Sequence, residues 1–166
     1  EEAIGYCTDP TRVRDKDGVT AAVRVADLVA SLKADGRGPA DLLDDLARAH
    51  GLHKTAPLTF RVEDVALIAE GMARLRANPP ATLAGATVTA VHDLSDGWEG
   101  LPPTDGLMLL TEADDRVIAR PSGTEPKLKC YLEVIVPVAE SGDVPHEEAA
   151  ARLRAIAAEL SEVLGM

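Results

Sequence analysis

The chain has 166 residues, of which 46% are apolar and only 2% aromatic, so its core must be built from Ala, Val, Leu and Ile. A compact chain of this length can bury about 70% of the surface that it exposes when unfolded. The net charge of -11 argues against nucleic acid or an anionic membrane as a partner, because both require a basic surface. We find no signal-peptide pattern and no apolar run long enough to span a bilayer, and we expect a cytoplasmic protein. The cysteines Cys7 and Cys130 lack C-x-x-C spacing, which favours reduced thiols.

The first part of the chain predicts two helices. From Val19 to Leu32 a broad arc of apolar residues recurs at helical spacing, and Asp17 stands at the favoured N-cap position before it. A second helix should run from Pro39 to about His50 and end at Gly51. The segment Leu58–Val62 is predicted to be extended.

A third helix is predicted from Asp64 to Ala77, and its inward residues should be Val65, Ile68, Met72 and Leu75. Beyond Pro80 the apolar period changes from 3.6 to 2, which predicts strands over Ala86–Leu94, Gly106–Leu110, Arg116–Arg120 and Leu128–Val138. Asp114-Asp115 is typical of a hairpin turn. A last helix from His146 to Leu164 should bury Ala149, Leu153, Ile156, Leu160 and Val163.

These elements predict an α+β fold in which a C-terminal antiparallel four-stranded sheet has helices on one face. A helical remnant of an α/β domain precedes it. We therefore divide the chain into an incomplete domain, residues 1–57, and a second domain, residues 58–166, with strands from about residue 82. The apolar arc of the first helix lacks a sheet to cover it, which predicts self-association through that face.

The segment from Arg120 to Lys129, RPSGTEPKLK, carries the clearest chemistry. A guanidinium can bind phosphate through two parallel hydrogen bonds, hydroxyls donate further ones, and glycine lets backbone N–H groups approach an anion. The residues that could contribute are Arg120, Ser122, Gly123, Thr124, Lys127 and Lys129, and the two lysines should share one strand face. The alternative is an ordinary Pro/Gly turn.

This loop resembles the phosphate-binding signature of the α-D-phosphohexomutase superfamily, whose members move a phosphate between the 1 and 6 positions of hexoses. The resemblance implies that the loop belongs to the fourth and last domain and holds the phosphate that is not reacting. It assigns phosphate contacts to Arg120, Ser122, Gly123, Thr124 and, more loosely, Lys129.

Two further segments resemble the same superfamily. Glu1-Glu2-Ala3-Ile4-Gly5 is similar to the sugar-recognition loop of the third domain, which makes Glu1, Glu2 and Gly5 candidate sugar-binding residues. Paired carboxylates can accept hydrogen bonds from vicinal hydroxyls, although a solvated acidic terminus is the alternative. Residues 14–18 resemble the start of the next helix, where Lys16 would contact phosphate or transfer a proton; the alternative is a solvated loop lysine.

The resemblance also implies what lies outside this chain. The family's phosphoserine loop and its Asp-Gly-Asp-type magnesium site do not occur here, so we expect the C-terminal part of a longer enzyme with no catalytic or metal-binding residue of its own. The whole enzyme would use Mg²⁺ and hexose 1,6-bisphosphate, and the partners of this part would be a hexose phosphate and the missing N-terminal domains.

The exact activity within the superfamily stays open. The first motif favours the subgroup of phosphomannomutases, phosphoglucomutases and phosphopentomutases, and a sugar-phosphate-binding module without chemistry is a further alternative. The four histidines, His50, His53, His92 and His146, lack metal-ligand spacing. Trp98 could belong to a functional loop or be a packed aromatic.

Overall fold

The computed structural model describes residues 5–166, so the predicted sugar ligands Glu1 and Glu2 lie outside the described residues. The chain divides into two compact units. The first unit ends at Leu46, and the second comprises Ala47–Met166.

The first unit contains helix α1, Gly18–Ala34, and most of helix α2, Pro39–His50. Asp17 caps α1 as predicted, because its carboxylate accepts hydrogen bonds from the backbone N–H groups of Val19 at 3.1 Å and Thr20 at 3.2 Å. The buried residue of α1 is Leu32. Much of the predicted apolar arc is exposed instead, namely Val19, Val23, Val25 and Leu28.

The second unit is an α+β structure around one antiparallel sheet, in the order β1-β6-β5-β4-β3-β2. The strands are β1 Leu52–Arg61, β2 Thr82–Leu83, β3 Ala86–Asp93, β4 Leu107–Thr111, β5 Arg116–Pro121 and β6 Lys127–Val136. The helices are α3 Ala66–Ala77 and α4 His146–Leu164, with a 3₁₀ turn at Leu94–Asp96.

The sheet has six strands, so the prediction of four was wrong. The larger omission is β1, which was expected only as an extended segment from Leu58 but begins at Leu52. It pairs along its whole length with β6, from Leu52 opposite Val136 to Arg61 opposite Lys127. Its first six residues include polar side chains and Pro57, which break the usual strand signal; an edge strand tolerates such a proline. β2 has only two residues and gives no periodic signal.

Both helices of the second unit cover the same face of the sheet. Every second residue of β6 is buried against them: Leu128, Cys130, Leu132, Val134 and Val136. Leu75 of α3 and Ile156 of α4 are fully buried in this core, and each such side chain contributes about 1.5–3 kcal/mol. Burial raises the pKa of the Cys130 thiol to about 12, which fits its predicted place in the core.

One predicted core residue is not in the core. Val65 is 62% exposed, because it precedes the first residue of α3 and acts as its N-cap. The other three predicted inward residues of this helix, Ile68, Met72 and Leu75, are buried.

The predicted hairpin turn between β4 and β5 is present, and it connects the sheet to α4. Asp114 adopts the left-handed conformation with φ 59°, and the Thr111 hydroxyl accepts a hydrogen bond from the Asp115 N–H at 3.1 Å. The Asp115 carboxylate is fully buried, and its Oδ2 lies 2.7 Å from Nη2 of Arg152 in α4. Burial raises the pKa of Asp115, although the nearby Arg152 charge opposes that shift.

No helix in the described part of the chain has the length and apolar character needed to cross a membrane.

Candidate phosphate-binding site

The predicted phosphate loop connects β5 to β6 at one end of the sheet. The loop is closed by a hydrogen bond from the Ser122 N–H to the Lys127 carbonyl at 2.9 Å, and the Lys127 N–H donates to the Glu125 carbonyl at 2.7 Å. Gly123 and Thr124 lie exposed at its tip, and no heavy atom stands within 4 Å of the position that a Cβ on Gly123 would occupy. An anion can therefore approach the backbone at this tip without a steric barrier.

Four cationic side chains occupy the sheet face next to this loop. Arg120 lies directly opposite Lys129 across β5 and β6, and Lys127 lies directly opposite Arg61 across β6 and β1. All four point away from the helices, since the intervening residue Leu128 is buried on the helix side. A protein of net charge -11 thus concentrates positive charge at one place.

Arg61 is a site residue that sequence reasoning missed. It stands 66 positions before Lys127 in the sequence, and only the β1–β6 register brings the two together. The available signal was the apolar alternation of Leu58 and Phe60, which indicates a strand ending at Arg61 but not its partner strand.

The four cationic side chains differ in the ion pairs and hydrogen bonds that they form. Within residues 5–166, the Arg120 guanidinium forms no ion pair and no side-chain hydrogen bond, and the hydroxyls of Ser122 and Thr124 also have no hydrogen-bond partner. All three groups are among those that the sequence assigned to phosphate, and they remain available to bind it.

By contrast, Lys127 and Arg61 contact an anion of the loop itself. The Glu125 carboxylate forms an ion pair with Lys127 Nζ, and its Oε1 lies 3.6 Å from Nη1 of Arg61. The hydrogen bond from Lys127 is the main reason that the pKa of Glu125 lies below its usual value, and the charges of Lys127, Arg61 and Lys129 act in the same direction. A fixed negative charge therefore stands within the cationic group.

A cleft of about 340 Å³ adjoins the loop on the helix side of the sheet. Its polar wall includes Ser122, Glu125 and Arg76, and its apolar wall comes from α3. Arg76 forms ion pairs with Asp93 at 2.9 Å and Asp105 at 2.5 Å, so it ties α3 to both ends of the segment between β3 and β4. In that segment Trp98 packs against His92 with ring centroids 4.0 Å apart.

The other predicted site residues belong to the first unit. The Lys16 ammonium is exposed and donates to Asp15 Oδ1 at 2.8 Å, and a Cβ on Gly5 would overlap the aliphatic stem of Lys16. The structure therefore brings Gly5 and Lys16 together, and only glycine permits that approach. Their contacts with substrate stay predictions, as do those of Glu1 and Glu2.

Among residues 5–166, no group of three or more His, Cys, Asp or Glu side chains is arranged to hold a metal ion.

The second unit is thus an antiparallel α+β domain with an open loop at one end of its sheet, flanked by cationic side chains. Residues 60–162 match the family model described as phosphoglucomutase/phosphomannomutase, C-terminal domain. The chain belongs to this family, which confirms its identification as a C-terminal part of the phosphohexomutase superfamily.

The similar proteins are named as sugar-phosphate mutases. The chain is 43% identical over 133 residues to the "Probable phosphomannomutase" of Haemophilus influenzae, a match that covers 80% of this chain and 27% of that protein. It is 33% identical to the phosphoglucomutase of Staphylococcus haemolyticus, with 82% and 27% covered, and 32% identical to the phosphopentomutase of Mus musculus, with 85% and 25% covered. The chain thus spans about a quarter of the length of these relatives.

A solved structure shares the fold. The crystal structure of pp63/parafusin, a phosphoglucomutase from Paramecium in its open form, superposes with a TM-score of 0.61. The match covers 92% of this chain and 28% of that one, at 16% sequence identity.

Proposed function

We propose that this chain is the C-terminal part of a cytoplasmic phosphohexomutase that interconverts hexose 1-phosphate and hexose 6-phosphate. The observation that carries the proposal is the set of groups at the β5–β6 loop that can donate hydrogen bonds to phosphate and have no partner among residues 5–166, namely the Arg120 guanidinium and the hydroxyls of Ser122 and Thr124. Family membership and the names of the relatives support the same reaction class.

In this proposal the loop holds whichever phosphate is not reacting. Arg120 donates two parallel hydrogen bonds to phosphate oxygens, while Ser122, Thr124 and the backbone at Gly123 complete the contact. The chain leaves phosphoryl transfer to a phosphoserine elsewhere in the enzyme, and Mg²⁺, when bound there, stabilises the charge that develops during transfer.

The sugar must present each end to the serine in turn, so the loop must bind and release both phosphates of a hexose 1,6-bisphosphate. Glu1, Glu2 and Gly5 are proposed to contact the sugar, with the two carboxylates accepting hydrogen bonds from its hydroxyls in either orientation. Lys16 is proposed to contact a phosphate as well. Positioning and electrostatics supply most of the catalysis in phosphoryl transfer, so these residues affect the rate without reacting.

Two alternatives remain. A phosphopentomutase is supported by the 32% identity to the Mus musculus protein of that name. The second alternative is a sugar-phosphate-binding module without chemistry of its own.

The test is a turnover assay of the purified full-length protein with glucose 1-phosphate, mannose 1-phosphate and ribose 1-phosphate, each with Mg²⁺ and the matching bisphosphate. Turnover of a hexose phosphate supports the proposal, whereas turnover of ribose 1-phosphate alone would replace it with the first alternative. Binding of all three without turnover would favour the second. The 166-residue chain assayed beside it should bind phosphate but convert none of them.

A further inference from the structure

Glu125 stands where a phosphate-binding loop would be expected to exclude negative charge. Its carboxylate contacts Lys127 and Arg61, the two cations that face each other across β6 and β1, whereas Arg120 on the neighbouring strand has no anionic partner among residues 5–166. We propose that Glu125 competes with phosphate for Lys127 and Arg61. This competition limits how tightly the loop holds the phosphate that is not reacting, and so permits its release at every turnover.

The competition follows from the contacts. A phosphate that reaches Lys127 must take the ammonium from Glu125, because the two groups already form an ion pair. Glu125 stays ionised beside its three cationic neighbours, so it also repels the arriving phosphate. Both effects make phosphate bind less tightly than it would to Arg120, Lys127 and Arg61 without the carboxylate.

The need for such a limit rests on the proposed function. A mutase whose bisphosphate must turn round has to detach a phosphate from this loop within each catalytic cycle, so a tighter grip would slow turnover. An enzyme that only had to bind one phosphate would gain nothing from an anion at this position.

The decisive variant is Glu125→Gln, which removes the charge and keeps the side-chain shape. Glu140→Gln is the matched control, because it makes the same change of net charge at an exposed position beyond the opposite end of β6. Inorganic phosphate is the probe, and its dissociation constant is measured by NMR titration of the 166-residue chain at low and at high salt.

Glu125→Gln should bind phosphate about three- to tenfold more tightly at low salt, and the gain should shrink at high salt because it is electrostatic. Glu140→Gln should bind like the wild type. Adding Lys127→Gln to the Glu125 variant should cancel most of the gain, because the released ammonium is its main source.

In the full-length protein, Glu125→Gln should lower kcat and KM together, and phosphate should inhibit it at lower concentration. Weaker phosphate binding in Glu125→Gln would overturn the inference and show that Glu125 orients Lys127 for the ligand. Unchanged binding would also overturn it and reduce Glu125 to a turn residue. Tighter phosphate binding in a full-length protein without mutase activity would sustain the competition while refuting the proposed function.

Discussion

The Asp115→Ala substitution tests how the β4–β5 hairpin is attached to the rest of the second unit. The carboxylate is 0% exposed and lies 2.7 Å from the Arg152 guanidinium, whose side chain is 21% exposed. Truncation of Asp115 leaves this cation in the interior without its partner.

The size of the effect follows from that unpaired charge. Removing one partner of a buried ion pair costs about 3–5 kcal/mol. Arg152 retains some contact with solvent, so we expect the lower end, about 3 kcal/mol. For a unit of this size 1 kcal/mol corresponds to about 4 °C, and Tm should fall by about 12 °C.

Thermal and urea unfolding followed by circular dichroism would measure the loss. Asp143→Ala is the control, since it removes the same charge from an exposed loop and should change the free energy of unfolding by less than about 0.5 kcal/mol. The double substitution Asp115→Ala, Arg152→Met should recover most of the loss, because no buried charge remains. A loss below about 1 kcal/mol in Asp115→Ala, or no recovery in the double variant, would show that the unpaired Arg152 charge does not destabilise the unit.

Two further predictions concern pH and local stability. Burial raises the pKa of Asp115 above its ordinary 3.8, and the protonated carboxyl, unlike an alanine side chain, still accepts a hydrogen bond from Arg152. The folded protein therefore takes up this proton at a higher pH than the unfolded chain, so lowering the pH from 7 to 4 should raise the wild type's free energy of unfolding relative to Asp115→Asn. Urea unfolding at both pH values checks this, and a constant difference between the two proteins would contradict it. In hydrogen exchange the amides of α1 should exchange faster than those of β6, because α1 exposes Val19 and Val23 whereas β6 buries every second residue. Equal protection in both would show that the apolar face of α1 is covered.

The helices could be predicted closely, since their signals are local. Helix α2 and helix α4 have the predicted bounds, and Asp17 caps α1 as expected. Period, cap and terminating glycine all lie within the segment itself, so no knowledge of the partner elements is needed.

The features that could not be predicted depend on the pairing of strands that are far apart in the sequence. Whether residues 52–57 form a strand is decided by β6, more than seventy positions later, and not by their own mixed composition. The candidate site divides in the same way. The residue types of the loop predicted a phosphate site, but the place of Arg61 and its contact with Glu125 follow from strand register.

We propose that the β5–β6 loop holds a substrate phosphate through Arg120. The measurement that tests this contact is kcat/KM of the full-length Arg120→Ala enzyme for a hexose 1-phosphate. A hydrogen bond to a charged group contributes about 1.5–3 kcal/mol, so kcat/KM should fall about 10- to 200-fold. Arg120→Lys should recover only part, because a point charge cannot donate two parallel hydrogen bonds.

Arg116→Ala serves as the matched control, since Arg116 lies on the same strand and face but pairs with Glu133 away from the loop. It should leave kcat/KM within about twofold, a change of less than about 0.5 kcal/mol. We expect a large loss of kcat/KM in Arg120→Ala beside this small one in Arg116→Ala; an Arg120→Ala enzyme with unchanged kcat/KM would show that Arg120 does not hold the substrate phosphate.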